Sequence, residues 1–509
     1  MRKDEGASPK KGRTPAGDTF AAIDLGSNSF HMIIARQQQG QLSMLDRMRE
    51  SVRLAAGLDD DKKLTPEAQA RALDCLERFG ERIKNLEHSH VRAVGTSALR
   101  QARNGRSFLA KAAKALGHPI EVISGHEEAR LIYLGVASDF ADEHERRLAI
   151  DIGGGSTECI IGEGSDIVQA DSLHMGCVSF TMKFFSDGKI KRDLIKEAMI
   201  AAALEFRSIK RRYKSIGWEV SVGSSGTILA VEQVLRANGW SKDGITRKGL
   251  EKLQKVLLDT GRISKINIEG LEPDRAPVII GGLVILMTAF DQFGLKTMRV
   301  ATGALREGAL YDMIGRFKHE DARDRTVNFL MHRYAIDREQ ASRVERSAMG
   351  FLRQVTGAWE LNNTPAKQFL AWASRLHEIG LSIAYSGYHK HGGYLLTFTD
   401  MPGFSREEQQ ALATLVRTHR RRISDELFEP LSPEYATMVK RLSVLMRLAV
   451  RLNRSRSPKS LPDIMVTAHG NKVELKFPKG WLADHPMTRT ELQHEEERLA
   501  FVKVKLAYH

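Results

Sequence analysis

Between Phe20 and Arg36 the chain reads FAAIDLGSNSFHMIIAR: a β-rich apolar run, a polar Gly/Ser/Asn turn and a second apolar run. That alternation predicts a strand-turn-strand hairpin. From Arg147 to Gly164, RLAIDIGGGSTECIIGEG repeats the order: Ile-Asp, an apolar residue, Gly, small residues, then another strand. Two hairpins of one design predict an internal duplication, with two α/β lobes facing each other over a cleft. Between them, LTPEAQARALDCLERFGERIKNL carries apolar residues at helical spacing after a Thr-Pro start, and HVRAVGTSALR reads as a strand running into a helix. Further on, WEVSVGSSGTILAVEQVL and TMRVATGALREGALYDMI each read as strand, glycine turn and helix.

From about Asp321 the strand patterns vanish and helical ones take over, which places a boundary between residues 315 and 325. Ser, Pro and Arg cluster as a linker in RSRSPKSLP, and IMVTAHGNKVELKFP then alternates as a β-hairpin centred on Gly470-Asn471. The organisation expected is a disordered tail over 1–18, α/β lobes over 19–135 and 136–318, a helical domain over 319–457 and a small β-containing module over 458–509. The longest apolar run, Ala276 to Phe290, is too short for a membrane span and carries Gly281-Gly282, so it reads as a buried helix. The N-terminus has no apolar stretch of the kind a signal peptide or anchor needs.

Composition narrows the partners. Lys plus Arg number 77 against 63 Asp plus Glu, a net charge of +14, which favours a polyanion: nucleic acid, a phosphate polymer or an anionic membrane surface touched peripherally. No sequence-specific nucleic-acid module is recognisable. The three cysteines, Cys75, Cys159 and Cys177, are far apart and in no metal-ligand spacing, so they read as packed thiols in a reducing, cytoplasmic setting.

The candidate chemistry lies at the turns. Asp24 to Ser29 and Asp151 to Thr157 each set an Asp at a strand end before small residues whose exposed amides suit phosphate oxygens, and whose carboxylate suits a metal. Gly223 to Thr227 and Gly303 to Arg306 are further glycine turns. SGHEEARLIYLGV puts Glu127 and Glu128 at a helix start, where the dipole favours carboxylates. Asp151 and Glu158 bracket the second loop, so a hairpin brings both beside one phosphate.

The stretches AAIDLGSNSFHM, AVGTSALRQARN, EVISGHEEARLIYLGV, AIDIGGGSTE, MGCVSF, VGSSGT and GALREG resemble the exopolyphosphatase and guanosine pentaphosphatase family, within the actin, Hsp70 and sugar-kinase (ribonuclease H-like) fold. The resemblance implies Glu128 as the base that activates water, Arg100 as a phosphate-binding arginine, and Asp24, Asp151 and Glu158 as ligands or orienters of Mg²⁺. It also implies phosphate contacts from Asn28, Ser29, Gly153, Gly154, Gly155, Ser156 and, on a weaker match, Arg275. LHEIG followed by YHKHGGY is similar to an HD phosphohydrolase domain with its His-Asp pair replaced by His377-Glu378; the expectation is a helical scaffold, with His389, His391 and His419 as surface or anion-contacting residues. Basic residues between 401 and 460, Arg417 and Arg420 to Arg422 among them, suit retention of a polymer. The implied activity is release of terminal orthophosphate from inorganic polyphosphate first and from guanosine pentaphosphate second, by a homodimer. A sugar or acetate-type kinase shares the paired loops but needs a nucleotide donor and a second acceptor pocket.

Overall fold

Both halves of the N-terminal region open on the expected hairpin, and each hairpin grows into a sheet of one design. The structure, a computed structural model, describes residues 18–38, 41–140, 144–317, 321–362, 364–457 and 461–509. Nearly all of the expected tail and part of the linker lie outside these residues. The chain divides into two compact units, Met1–Gly315 and Arg316–His509.

In the first unit, β1 (Thr19–Leu25), β2 (Phe30–Gln38), β3 (Gln41–Glu50), β4 (Val91–Gly95) and β5 (Ile120–Val122) form a sheet in the order β3-β2-β1-β4-β5. The second sheet comprises β6 (Arg146–Ile152), β7 (Thr157–Glu163), β8 (Asp166–Leu173), β9 (Val220–Ser224), β10 (Ile245–Thr246) and β11 (Thr297–Val300), ordered β10-β11-β9-β6-β7-β8. Apart from the edge strand β10 the two orders coincide: an antiparallel meander of three strands, then two parallel additions. Register makes the duplication residue-specific. Asp24 lies opposite His31 on β1 and β2, and Asp151 opposite Glu158 on β6 and β7.

The helix Gly125–Ala137 starts where Ser124 accepts a hydrogen bond from the Glu127 amide, as a capping serine does. With the helix Leu305–Phe317 it fills the space between the sheets, packing Leu131, Tyr133, Leu305 and Met313 against Phe20 and Val94 of one and Ala149 and Ile160 of the other. The outer face of the first sheet is covered by Pro66–Ile83, capped by Thr65 with proline at its first turn as expected, and by Gly105–Leu116. The apolar run forms a single 3₁₀ turn and the helix Ile279–Phe293; together, Ala276–Phe293 is long and apolar enough to cross a membrane, which corrects the expectation that it is too short, but it is mostly buried in the core of the second lobe, as expected of a buried helix.

The second unit has its own core, from Val327 to Leu506, built by helices and one small sheet. The hairpin at Gly470-Asn471 is present as β12 (Met465–His469) and β13 (Lys472–Lys476), and β14 (Lys505–Tyr508) adds to it in parallel. The histidines correct the surface expectation. Of the three expected at the surface, His389 and His419 are buried and His391 is half-buried; the His419 ring packs edge-on to the buried His377, with centroids 5.5 Å apart, and also against Tyr388. Glu378 is tied to Arg456.

Candidate active site

Two loops and a helix start meet in the first unit around a cavity of about 340 Å³. Asp24, Asn28, Ser29, Glu128, Asp151, Gly153, Gly154, Ser156 and Arg275, all singled out from the sequence, line it. The loops approach so closely that a Cβ on Gly154 would stand 2.8 Å from that of Ser27 and 3.2 Å from the Asn28 amide, so any side chain there would push the two loops apart. Arg100, Gly155 and Glu158 stand one layer back. Gly155 faces Ser97, and the Ser172 hydroxyl donates to Glu158 at 2.8 Å.

Successive helical residues point about 100° apart, so Glu127 and Glu128 cannot share a face. Glu127 turns inward, accepting from Arg130 at 2.7 Å and Arg92 at 3.3 Å, and both arginines also hold Asp312 on the helix Leu305–Phe317. Glu128 turns to the cavity, held by the Arg100 guanidinium at 2.5 Å, while the same Arg100 nitrogen donates to the Ile123 carbonyl. The structure thereby separates a carboxylate locked in a buried ion-pair network from one that faces the cavity.

Carboxylates crowd the cavity floor. Burial, with the Glu128 charge next, pushes Asp24 up to about 8 and Asp151 up to about 7, and Glu158 is raised by the same two causes. Asp24 Oδ1 and Glu158 Oε2 are buried without a hydrogen-bond partner. Burial and mutual repulsion oppose the ionised form of these carboxyls, and a hard cation, which binds carboxylate oxygens, would displace their protons and stabilise that form. Among the described residues no three His, Cys, Asp or Glu side chains converge as a complete metal site. The donor set fits an ion that takes one or two carboxylates and completes its shell with phosphate oxygens and water, as Mg²⁺ does.

Cations face these carboxylates. Arg275 is buried with no carboxylate in ion-pair distance among the described residues, and its guanidinium lies where a Cβ on Gly226 would stand, 2.0 Å away. Burial, then the nearby Arg49, lowers its proton affinity, so an incoming anion would relieve a real electrostatic cost. Arg306 and His31 also line the cavity, and sequence reasoning assigned neither. Aligning the duplicated motifs would have exposed His31, seven residues after Asp24 as Glu158 is after Asp151. Burial and the charges of Arg306, Arg275 and Arg49 lower His31 to about 3, so it is a neutral imidazole. Arg306 could have been found from its place directly after the fourth glycine turn. Ser225, another lining residue, has φ of 99° and ψ of 161°, a conformation nearly reserved for glycine, at the cap of the helix Gly226–Ala237. Cys177 is buried and its thiol raised, which agrees with a packing role.

The model of the Ppx/GppA phosphatase family matches residues 33–317, and that of Ppx/GppA phosphatase, domain III, matches residues 322–496. A guanosine-5'-triphosphate,3'-diphosphate pyrophosphatase of Vibrio cholerae is 40% identical over 482 residues, covering 94% of this chain and 96% of the relative. Its counterpart in Aeromonas hydrophila is 38% identical over 479 residues, with the same coverage. The crystal structure of an exopolyphosphatase from Cytophaga hutchinsonii superposes with a TM-score of 0.54 and 26% identity, over 59% of this chain and 98% of that one. Paired phosphate loops, a cavity-facing glutamate and these full-length matches converge: the chain belongs to the Ppx/GppA phosphatase family and is a phosphoanhydride hydrolase.

Proposed function

We propose that the chain removes the terminal 5′ phosphate of guanosine pentaphosphate, leaving the tetraphosphate and orthophosphate. The observation that carries this reading over polyphosphate as first substrate is the near-complete alignment, at 38 to 40% identity, with relatives named for that nucleotide. In the reaction a water oxygen bonds to the terminal phosphorus, its proton passes to the Glu128 carboxylate, and the bond to the bridging oxygen breaks with its electron pair going to the departing diphosphate. Arg100 holds Glu128 towards the cavity. Arg275 and Arg306 offset the charge on the phosphate oxygens, and amides of the two loops hold those oxygens in place. Mg²⁺, held by Asp24 and Asp151 with Glu158 behind them, would supply further neutralisation of the phosphate chain.

Terminal hydrolysis of inorganic polyphosphate is the second reading, favoured by the 12 Lys and Arg against 6 Asp and Glu between residues 401 and 460. Phosphate release from guanosine pentaphosphate and from long-chain polyphosphate, measured side by side, decides the order. Glu128→Gln is expected to lower kcat on the preferred substrate by about 10²- to 10⁴-fold, the usual worth of a general base. Near-normal turnover by that variant would remove Glu128 from the mechanism.

A further inference from the structure

A second cavity, of about 170 Å³, lies wholly within the helical unit and has no part in the cleft chemistry. Four arginines line it: Arg420, Arg451, Arg454 and Arg456. Three of them have carboxylate partners. Arg456 holds Asp337 and Glu378, Arg454 holds Glu491, and Arg451 reaches Glu495 at 3.2 Å, a carboxylate it shares with the fully buried Arg447. Arg420 pairs with no carboxylate among the described residues; its guanidinium lies over the Tyr388 ring at 4.4 Å and near that of Tyr385 at 6.0 Å. Of the four, Arg420 alone has no carboxylate to neutralise it among the described residues; it is held by the Tyr388 ring and hydroxyl, which leaves its charge available to an anion.

Two further observations specify more than an anion. Tyr385 lines the cavity yet is 73% exposed, so one ring face is open to stack with a planar group at the mouth. His377 is buried in the wall with Nδ1 2.7 Å from the Ser374 carbonyl. A carbonyl only accepts, so that nitrogen carries the proton and Nε2 is an acceptor. Burial lowers His377 to about 4, which keeps the ring neutral. An acceptor in the wall suits a ligand that donates through a hydroxyl or ring N–H, groups that a nucleoside carries permanently and the interior phosphates of a bare chain lack.

We propose that this cavity binds a phosphorylated nucleoside, with phosphate on Arg420, a sugar or base donor to His377 Nε2 and the base stacked on Tyr385. The site is separate from the cleft, so it stands or falls independently of the substrate reading above.

The test measures GDP binding to the full chain by equilibrium dialysis, without divalent metal, in an Arg275→Ala background that weakens phosphate binding in the cleft. One GDP per chain is expected there. Adding Arg420→Ala should weaken it at least about tenfold, and adding Tyr385→Ala, at an exposed position that leaves the fold intact, should do the same. Tripolyphosphate should compete at least about tenfold less well than unlabelled GDP. The proposal is overturned if GDP fails to bind, if binding survives both second substitutions unchanged, or if tripolyphosphate competes as well as GDP, which would assign the cavity to bare phosphate chains.

Discussion

Adjacent glutamates in opposite surroundings give the sharpest residue-scale contrast. Glu127 is fully buried between Arg92 and Arg130, so Glu127→Ala leaves Asp312 as the one carboxylate that two buried guanidinium groups share at close range, and is expected to cost about 3–5 kcal/mol in stability, read from the denaturant midpoint. Glu128→Gln keeps an acceptor for Arg100 and relieves the repulsion on Asp24, Asp151 and Glu158, so it should move that midpoint less than Glu127→Ala while turnover falls. Asp24 connects charge to stability differently. Its carboxyl keeps its proton up to about 8 in the folded chain, against an ordinary value of 3.8. Between those values the unfolded chain has lost a proton that the folded chain retains, so stability falls as pH rises through the window. Asp24→Asn removes that loss. In metal-free buffer its Tm should match wild type near about pH 4 and exceed it by several degrees near about pH 8, although the variant loses activity; a difference independent of pH would refute this account. Much of this site could be read in sequence, because a glycine turn after an Asp declares its chemistry locally. Arg275 could be placed only weakly, and Arg306 only by its position at the fourth glycine turn, which gives it no role. Their importance comes from what surrounds them, a buried position without an ion-pair partner in one case and neighbouring carboxylates in the other, and neither is encoded within a few residues.

At the scale of elements, the duplicated hairpins were legible down to their turns, since period-2 alternation and Gly-rich turns are local signals. The crossing of the two interlobe helices was not. Gly125–Ala137 and Leu305–Phe317 touch backbone to backbone: a Cβ on Gly308 would lie 1.7 Å from the Leu131 carbonyl oxygen, and one on Gly135 2.1 Å from that of Ala304. Nothing in GALREG announces that its second glycine is a contact surface for a helix some 170 positions earlier in the chain. Because the obstruction is backbone, relief requires moving a helix. Gly308→Ala is therefore expected to destabilise by about 1–3 kcal/mol, the usual cost of overpacking. It should also reduce kcat, since the displaced helix carries Glu128 in its first turn. Thermal melts and initial rates on the same preparation would show both changes together; a loss of stability with kcat unaltered would mean that the crossing supports the fold without positioning the base.

At the scale of the whole molecule, the division of labour follows from where the chemistry lies. Among the described residues, every one lining the cleft falls before Gly315 and the cores of that unit contain none beyond Ile314, while the helical unit builds its core from its own side chains. The boundary was legible because strand patterns stop near it; the burial of His389 and His419 was not, since helical periodicity does not say which histidine a neighbouring helix will cover. If catalysis resides in the first unit, a chain ending at Phe317, which keeps the last interlobe helix whole, should still release orthophosphate from guanosine pentaphosphate with kcat within a few-fold of the full chain. If the exposed cations between residues 401 and 460 retain a polymer by many weak contacts, their removal lowers the effective concentration of its chain ends. For long polyphosphate, the truncated chain should therefore show a raised KM, and the salt dependence of that KM should flatten because fewer phosphate contacts release fewer counterions. Equal loss of kcat on both substrates would instead show that the helical unit is needed to form the catalytic cleft.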